Sequence, residues 1–227
     1  HPFPEVSIIV ICRGKWTKSR RCLASLRRAA GKVDYEVLTG CFGAEAKTAL
    51  ELRKKAKTWP QLRFLGQWEP TPYAHVLNLA QISAKGDFIL FLPDDVLLSS
   101  PGCLEALVQT ARKNGAAGVI APRCSNARLD WQRTPGSKTA LSVDYVRDYG
   151  LLIPKTVFSS LGGFDNRFQE TMWAEDFCFR AKQKGYEVLV ADKAVVRASR
   201  QEDSSALPHD RNLIFGKWSG HPLFKWR

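Results

Sequence analysis

The stretch Ala84-Lys-Gly-Asp-Phe-Ile-Leu-Phe-Leu-Pro-Asp-Asp-Val96 decides the fold. Lys85-Gly86 breaks the preceding element, Asp87 to Leu92 is an apolar run of strand length, and Pro93-Asp94-Asp95 is turn chemistry that ends it. Upstream, strand and helix alternate. The β-branched run Val6 to Cys12 ends at the Arg13-Gly14 turn, and Thr17 or Ser19 then caps a helix whose apolar positions Cys22, Leu23, Leu26 and Ala30 recur at helical spacing until Gly31. Tyr35 to Thr39 reads as a strand, Ala44 to Lys57 as a helix, Leu62 to Leu65 as a strand and residues 73–84 as a helix. Such alternation demands an α/β fold with a mostly parallel central sheet flanked by helices. Ligands of open parallel sheets bind beyond the carboxyl ends of the strands, which puts Asp94 and Asp95 where chemistry is done.

Downstream the pattern predicts a helix over Gly102 to Asn114 and a strand over Gly118 to Ala121, then a polar, Gly- and Pro-bearing loop or small hairpin over 122–142. A strand over Tyr149 to Ile153, a short helix over Lys155 to Leu161 and the turn Gly162-Gly163-Phe164-Asp165 follow. A helix over Ala174 to Lys184 and two strands, Tyr186 to Val190 and Ala194 to Val196, lead to a polar and then aromatic tail with Phe215, Trp218, Phe224 and Trp226.

At 227 residues with 44% hydrophobic side chains the chain can bury a substantial core unaided. No apolar run approaches the ~20 residues of a membrane span. The chain opens on His1 with strand-like sequence from Val6, as expected of a domain cut from a longer polypeptide. Residues 1–66 hold 14 Lys or Arg and 5 acids, a net of +9 out of +12, and this asymmetry suits an anionic partner: a nucleotide diphosphate, a nucleic acid or an anionic membrane face. A solvated basic face is the plainer alternative. Nucleic acid is disfavoured, because no aromatic-interleaved RNA motif or recognition helix accompanies the charge. The six cysteines, Cys12, Cys22, Cys41, Cys103, Cys124 and Cys178, show no metal-finger spacing and several sit in apolar runs, which points to buried thiols and a reducing, cytoplasmic compartment, although the even count also permits disulfides in a secreted or lumenal protein.

Asp94 and Asp95 at a strand end suit a hard divalent cation on a pyrophosphate, or equally an exposed turn in which they cap the backbone. Here the order of several segments matters. Val6-Ser-Ile-Ile-Val10, Arg21-Cys-Leu-Ala-Ser-Leu26, the Ala84 to Val96 stretch, Gly162-Gly-Phe-Asp-Asn-Arg-Phe168, Ala174-Glu-Asp-Phe-Cys-Phe-Arg-Ala181, Gly185-Tyr186 and Arg211-Asn-Leu-Ile-Phe-Gly-Lys-Trp218 resemble, in sequence and spacing, the family-2 glycosyltransferases of GT-A fold.

That resemblance implies a single domain over 1–227, with a nucleotide-sugar-binding half (1–121) and an acceptor half with a C-terminal helix (122–227). It implies inverting transfer of a hexose-like sugar from a nucleotide-sugar to a glycan, lipid-linked or protein acceptor in polysaccharide biosynthesis. Surface basicity and the aromatic tail would permit peripheral contact with the anionic inner face of a membrane, where lipid-linked acceptors reside. Asp95 is the implied ligand of Mn2+ or Mg2+, with Asp94 beside it. Asp176 or Glu175 maps onto the general base, with Glu170 in reserve. Cys12, Arg13, Gly40, Glu45, Tyr73, Asn78 and Asp94 map onto the donor site, and Gly163, Trp173 and Trp131 onto the acceptor site.

The chain departs from the family pattern at definite places. Thr39-Gly40-Cys41-Phe42-Gly43 lacks the usual nucleobase Asp, Pro93 replaces the first acid of the triplet, and Pro72 replaces a Gly before the donor-loop helix. Asp176 lies four residues before Arg180 where the family base lies six before. Arg197 stands where a metal-binding His is usual, so His209 compensates or Arg197 meets phosphate without metal. The alternative function is a GT-A-like domain without catalysis, acting as a binding or scaffolding module. Competing readings of single residues are plain: Asp176 as a helix N-terminal acid, Trp173 as core packing and His75 as a structural histidine.

Overall fold

A computed structural model describes residues 3–69, 71–133, 140–200, 207–222 and 224. Trp226 of the tail and residues 134–139 of the 122–142 stretch lie outside the described residues. The β-branched run forms β1 (Val6–Cys12), buried along its whole length. Side chains alternate across a strand, so Val6, Ile8, Val10 and Cys12 feed one core layer and Ile9 and Ile11 the other.

The chain continues through α1 (Trp16–Ala29), β2 (Tyr35–Phe42), α2 (Ala46–Thr58), β3 (Leu62–Trp68), α3 (Tyr73–Gln81), β4 (Phe88–Phe91), β5 (Val96–Leu98), α4 (Cys103–Lys113), β6 (Ala117–Cys124), α5 (Asp130–Arg133), β7 (Leu141–Val143), β8 (Leu151–Pro154), α6 (Lys155–Ser160), α7 (Trp173–Gln183), β9 (Glu187–Ala198) and α8 (Pro208–Trp218). One sheet runs β3-β2-β1-β4-β8-β6-β9-β5, with β7 paired to β9. Helices α1, α2 and α4 pack on one face, and α3, α6, α7 and α8 on the other.

The parallel expectation holds for β3-β2-β1-β4 and for β6-β9, whereas β8, β5 and β7 enter antiparallel. Several boundaries differ from the sequence reading. β2 continues past Thr39 because its pairing with β1 runs on through Ile11 opposite Gly40 and Cys12 opposite Cys41. The two strands expected over 186–196 are one, β9, bent where its register on β6 shifts between Pro122 and Arg123. β5 and β7 have three residues each, too few to show a period.

The helix after β1 begins at Trp16, and its N-cap Lys15 makes no side-chain capping bond; Ser19 is used elsewhere, as described below. All six cysteines are buried and carry no disulfide. No helix among the described residues is long and apolar enough to cross a membrane.

Candidate active site

The carboxyl ends of β1 and β4 meet at the acidic pair. The Arg13 backbone N–H (2.9 Å) and the Ser19 hydroxyl (2.7 Å) both donate to Asp94 Oδ2, while Lys18 Nζ lies 3.1 Å from Oδ1. Asp94 thereby ties the β1–α1 connection down, through a backbone N–H before α1 and two side chains of its first turn. Burial raises its pKa, outweighing Lys18 and Ser19.

Asp95 is engaged differently. Arg200 Nη1 donates to its Oδ1 at 2.6 Å, and Arg200 Nη2 donates at 2.9 Å to both the backbone carbonyl and Oδ1 of Asp148. The same guanidinium lies 5.0 Å from the Tyr149 ring centroid. Ser199 closes the loop by donating through its N–H and hydroxyl to the Asp95 carbonyl, at 2.8 and 3.0 Å.

Charge continues inward from Asp148. Glu175, with a side chain only 7% exposed, sits 3.9 Å from Arg147. Burial, reinforced by the negative charge of Asp148, pushes its carboxyl up to about 7. Asp95, Arg200, Asp148, Glu175 and Arg147 form one electrostatic chain, in which the like charges of Asp148 and Glu175 lie between the cations Arg200 and Arg147.

Asp176 faces elsewhere. Fully buried, it accepts from Arg180 Nε at 2.9 Å and Trp218 Nε1 at 2.9 Å, with Lys217 Nζ at 2.5 Å. It therefore pins α7 to α8, and the residue six before Arg180 is Ala174. Glu170 pairs with Arg13 at 2.6 Å on a more exposed rim. The loop carrying Glu170 is organised by Asp210, whose carboxylate accepts the N–H groups of Gln169, Glu170 and Thr171 at 2.8 to 2.9 Å. Burial opposes ionisation of Asp210, but those donors and His209 hold its pKa below the usual carboxylate range.

The remaining expected residues are placed as follows. Trp173 is 1% exposed and packs edge-on to Phe164 at 4.7 Å, so its ring is core rather than an acceptor platform. Tyr73 is buried between Phe42 and Trp173, with Arg13 4.8 Å from its ring centroid. Asn78 donates to the Phe164 carbonyl (2.8 Å) and Asn166 Oδ1 (2.7 Å) and accepts from Phe164 N–H (2.9 Å). Those bonds clasp the Gly163 turn, whose φ of 76° favours glycine and where a Cβ would lie 2.7 Å from Asn78. Gly40 is required by a close approach, since a Cβ there would overlap the Trp68 ring. Cys12 is buried with its thiol pushed up to about 12 by desolvation, and Glu45 is the exposed N-cap residue of α2. Trp131 donates its indole N–H to the Tyr145 carbonyl at 3.0 Å, and Arg197 is exposed on β9. His209 pairs with Asp210 at 3.1 Å.

The model of Glycosyl transferase family 2 matches residues 7–192. The chain belongs to glycosyl transferase family 2. Among curated relatives, the O-antigen biosynthesis protein RfbC of Myxococcus xanthus is 28% identical in an alignment 193 positions long that covers 73% of this chain and 15% of that protein. Similar solved structures include mannosyltransferase PcManGT from Pyrobaculum calidifontis in complex with GDP-Man and Mn2+ (TM-score 0.71, 16% identity, 89% of this chain and 59% of that one). GalNAc-T7 with UDP, GalNAc and Mn2+ matches at TM-score 0.75 and 12% identity, over 93% of this chain and 48% of that one. S. aureus TarS 1-349 matches at 0.66 and 17%, over 86% and 60%. At these identities the structures establish the GT-A fold, and the chain spans a part of each relative.

For this family 2 glycosyltransferase the implied divalent cation fits the donor set poorly. Hard cations want several oxygen ligands. Asp94 is consumed by Ser19, the Arg13 N–H and Lys18, Asp95 holds a guanidinium, and among the described residues no three His, Cys, Asp or Glu side chains converge to hold a metal. Asp95 and His209, expected as metal ligands, are thus each committed to another partner. Arg200, Asp148 and Arg147 are the members of this charged cluster that sequence reading missed. The available signal was the basic residue three positions beyond Arg197, at the end of the last strand.

Proposed function

We propose that this chain transfers a hexose from a nucleotide-sugar to an acceptor hydroxyl with inversion, with Glu175 as general base and the donor diphosphate over the carboxyl ends of β1 and β4. The observation that carries this reading is the buried Glu175 carboxyl, poised at about 7 and joined through Asp148 to the Arg200–Asp95 pair. A base works best with a pKa near the working pH. The acceptor proton passes to Glu175, the hydroxyl oxygen attacks the anomeric carbon, and the bond to the diphosphate breaks with its electron pair leaving on phosphate. Cations at the end of β1 and on Arg200 meet that charge. Glycan or lipid-linked acceptors of a polysaccharide pathway are favoured by the name of the curated relative.

The test is a thermal-shift screen of UDP, GDP, dTDP and CDP, followed by release of the bound nucleotide from its sugar conjugates in the presence of candidate acceptors. Stabilisation by one nucleotide supports the donor site. A second reading, a non-catalytic binding module, is favoured by Ala174 at the position of the family's base. Absence of stabilisation by all four nucleotides would favour it.

A further inference from the structure

We infer that Arg200 supplies the positive charge for the donor diphosphate, so that nucleoside diphosphates bind this chain without a divalent cation; the inference rests on the donor-site reading above. A cation on Asp95 would have to compete with a guanidinium already 2.6 Å from its Oδ1. That guanidinium is tethered four ways, by the Asp95 carboxylate, the carbonyl and carboxylate of Asp148, and the Tyr149 ring face. Displacing it would leave the half-buried Asp148 carboxylate beside the buried Glu175 with its counter-charge gone, which like charges in that setting resist.

Arg200 is also equipped for phosphate. Its three hydrogen bonds use one N–H of Nη1 and both of Nη2, leaving the Nε–H and one Nη1–H, each able to make a single charge-assisted bond to a phosphate oxygen. With its side chain 29% exposed, the group is reachable from solvent, while its anchors fix its orientation before any ligand arrives. Asp95 is on this reading a positioning residue that holds the arginine.

The experiment is isothermal titration of the intact chain with UDP, GDP, dTDP and CDP, in EDTA and in Mn2+, for wild type, Arg200→Gln and Arg200→Lys. The inference expects the Kd of the bound nucleotide to agree within about threefold between EDTA and Mn2+. Arg200→Gln should weaken it by about tenfold or more, with Arg200→Lys intermediate, because a charge-assisted contact from an oriented guanidinium is lost or reduced to a point charge. Binding that requires Mn2+, or Arg200→Gln binding as wild type does, overturns the inference and leaves the donor site standing. Failure of every nucleotide in both conditions overturns the donor-site reading itself. Should Arg200→Gln fail to fold, the EDTA comparison on wild type and the lysine variant still decide.

Discussion

The indole N–H of Trp218 on α8 donates to the Asp176 carboxylate on α7 at 2.9 Å, with Arg180 and Lys217 on the same carboxylate. An acid so placed binds helices together. Asp176→Ala leaves two cations and an indole without their acceptor, and unfolding free energy should fall by about 3 kcal/mol or more. Urea denaturation measures it. A variant of unchanged stability with lost turnover would return Asp176 to the catalytic role.

Glu175→Gln keeps the shape and removes the base. Turnover should drop by about 10²- to 10⁴-fold with nucleotide affinity unchanged. Steady-state kinetics alongside titration calorimetry separate the two. A variant retaining most of its activity would move the base to Glu170.

The same residue sets a pH dependence. In the folded chain its pKa is about 7, against 4.5 ordinarily, so the folded state binds the proton more tightly than the unfolded state. Its contribution is fully present below about pH 4.5, declines as pH rises and is lost above 7, a span worth up to about 3 kcal/mol at 1.36 kcal/mol per pH unit. Activity runs the other way, rising through pH 7 as the base ionises. Denaturation from pH 5 to 8 should show this slope in wild type and a shallower one in Glu175→Gln.

Asn78→Ala removes three hydrogen bonds to the 164–166 turn. About 2 kcal/mol of stability should go, while the Kd for nucleotide stays put. A weakened Kd in a variant of wild-type Tm would show Asn78 touching the donor.

Burial pushes the Cys12 and Cys178 thiols up to about 12 and those of Cys41 and Cys103 up to about 11. Reactivity follows the thiolate, so an aromatic disulfide reagent should modify none of the six in the native chain and all six in denaturant. Fast labelling of one thiol without denaturant would contradict that packing.

Long elements with a clear period were legible in the sequence: β1, the helix running to Ala29, and the strand into Pro93-Asp94-Asp95 all lie within a residue or two of their expected positions. Three-residue strands were not, since β5 and β7 exist only because β9 offers an edge to pair with. The acidic pair was found where strand ends meet, but the sequence could not tell that Asp94 turns toward Ser19 and Asp95 toward Arg200. Such partners come from positions about a hundred residues away, and local pattern carries no information about them. Asn78 and Gly163 were paired by family expectation with donor and acceptor. In the structure they are paired with each other, by a close approach that only three-dimensional proximity reveals.

The strand order carries a consequence for how the chain is made. β8 lies between β4 and β6, and β9 between β6 and β5, so the sheet is closed only by segments synthesised last. As the polypeptide leaves the ribosome, β4 waits some sixty residues for its antiparallel neighbour, with an apolar edge open to other chains. Such distant pairings slow folding through the loop-closure entropy they demand. Translation that stalls between β6 and β8 should therefore yield an aggregating fragment, and expression should respond to chaperones that shield strand edges.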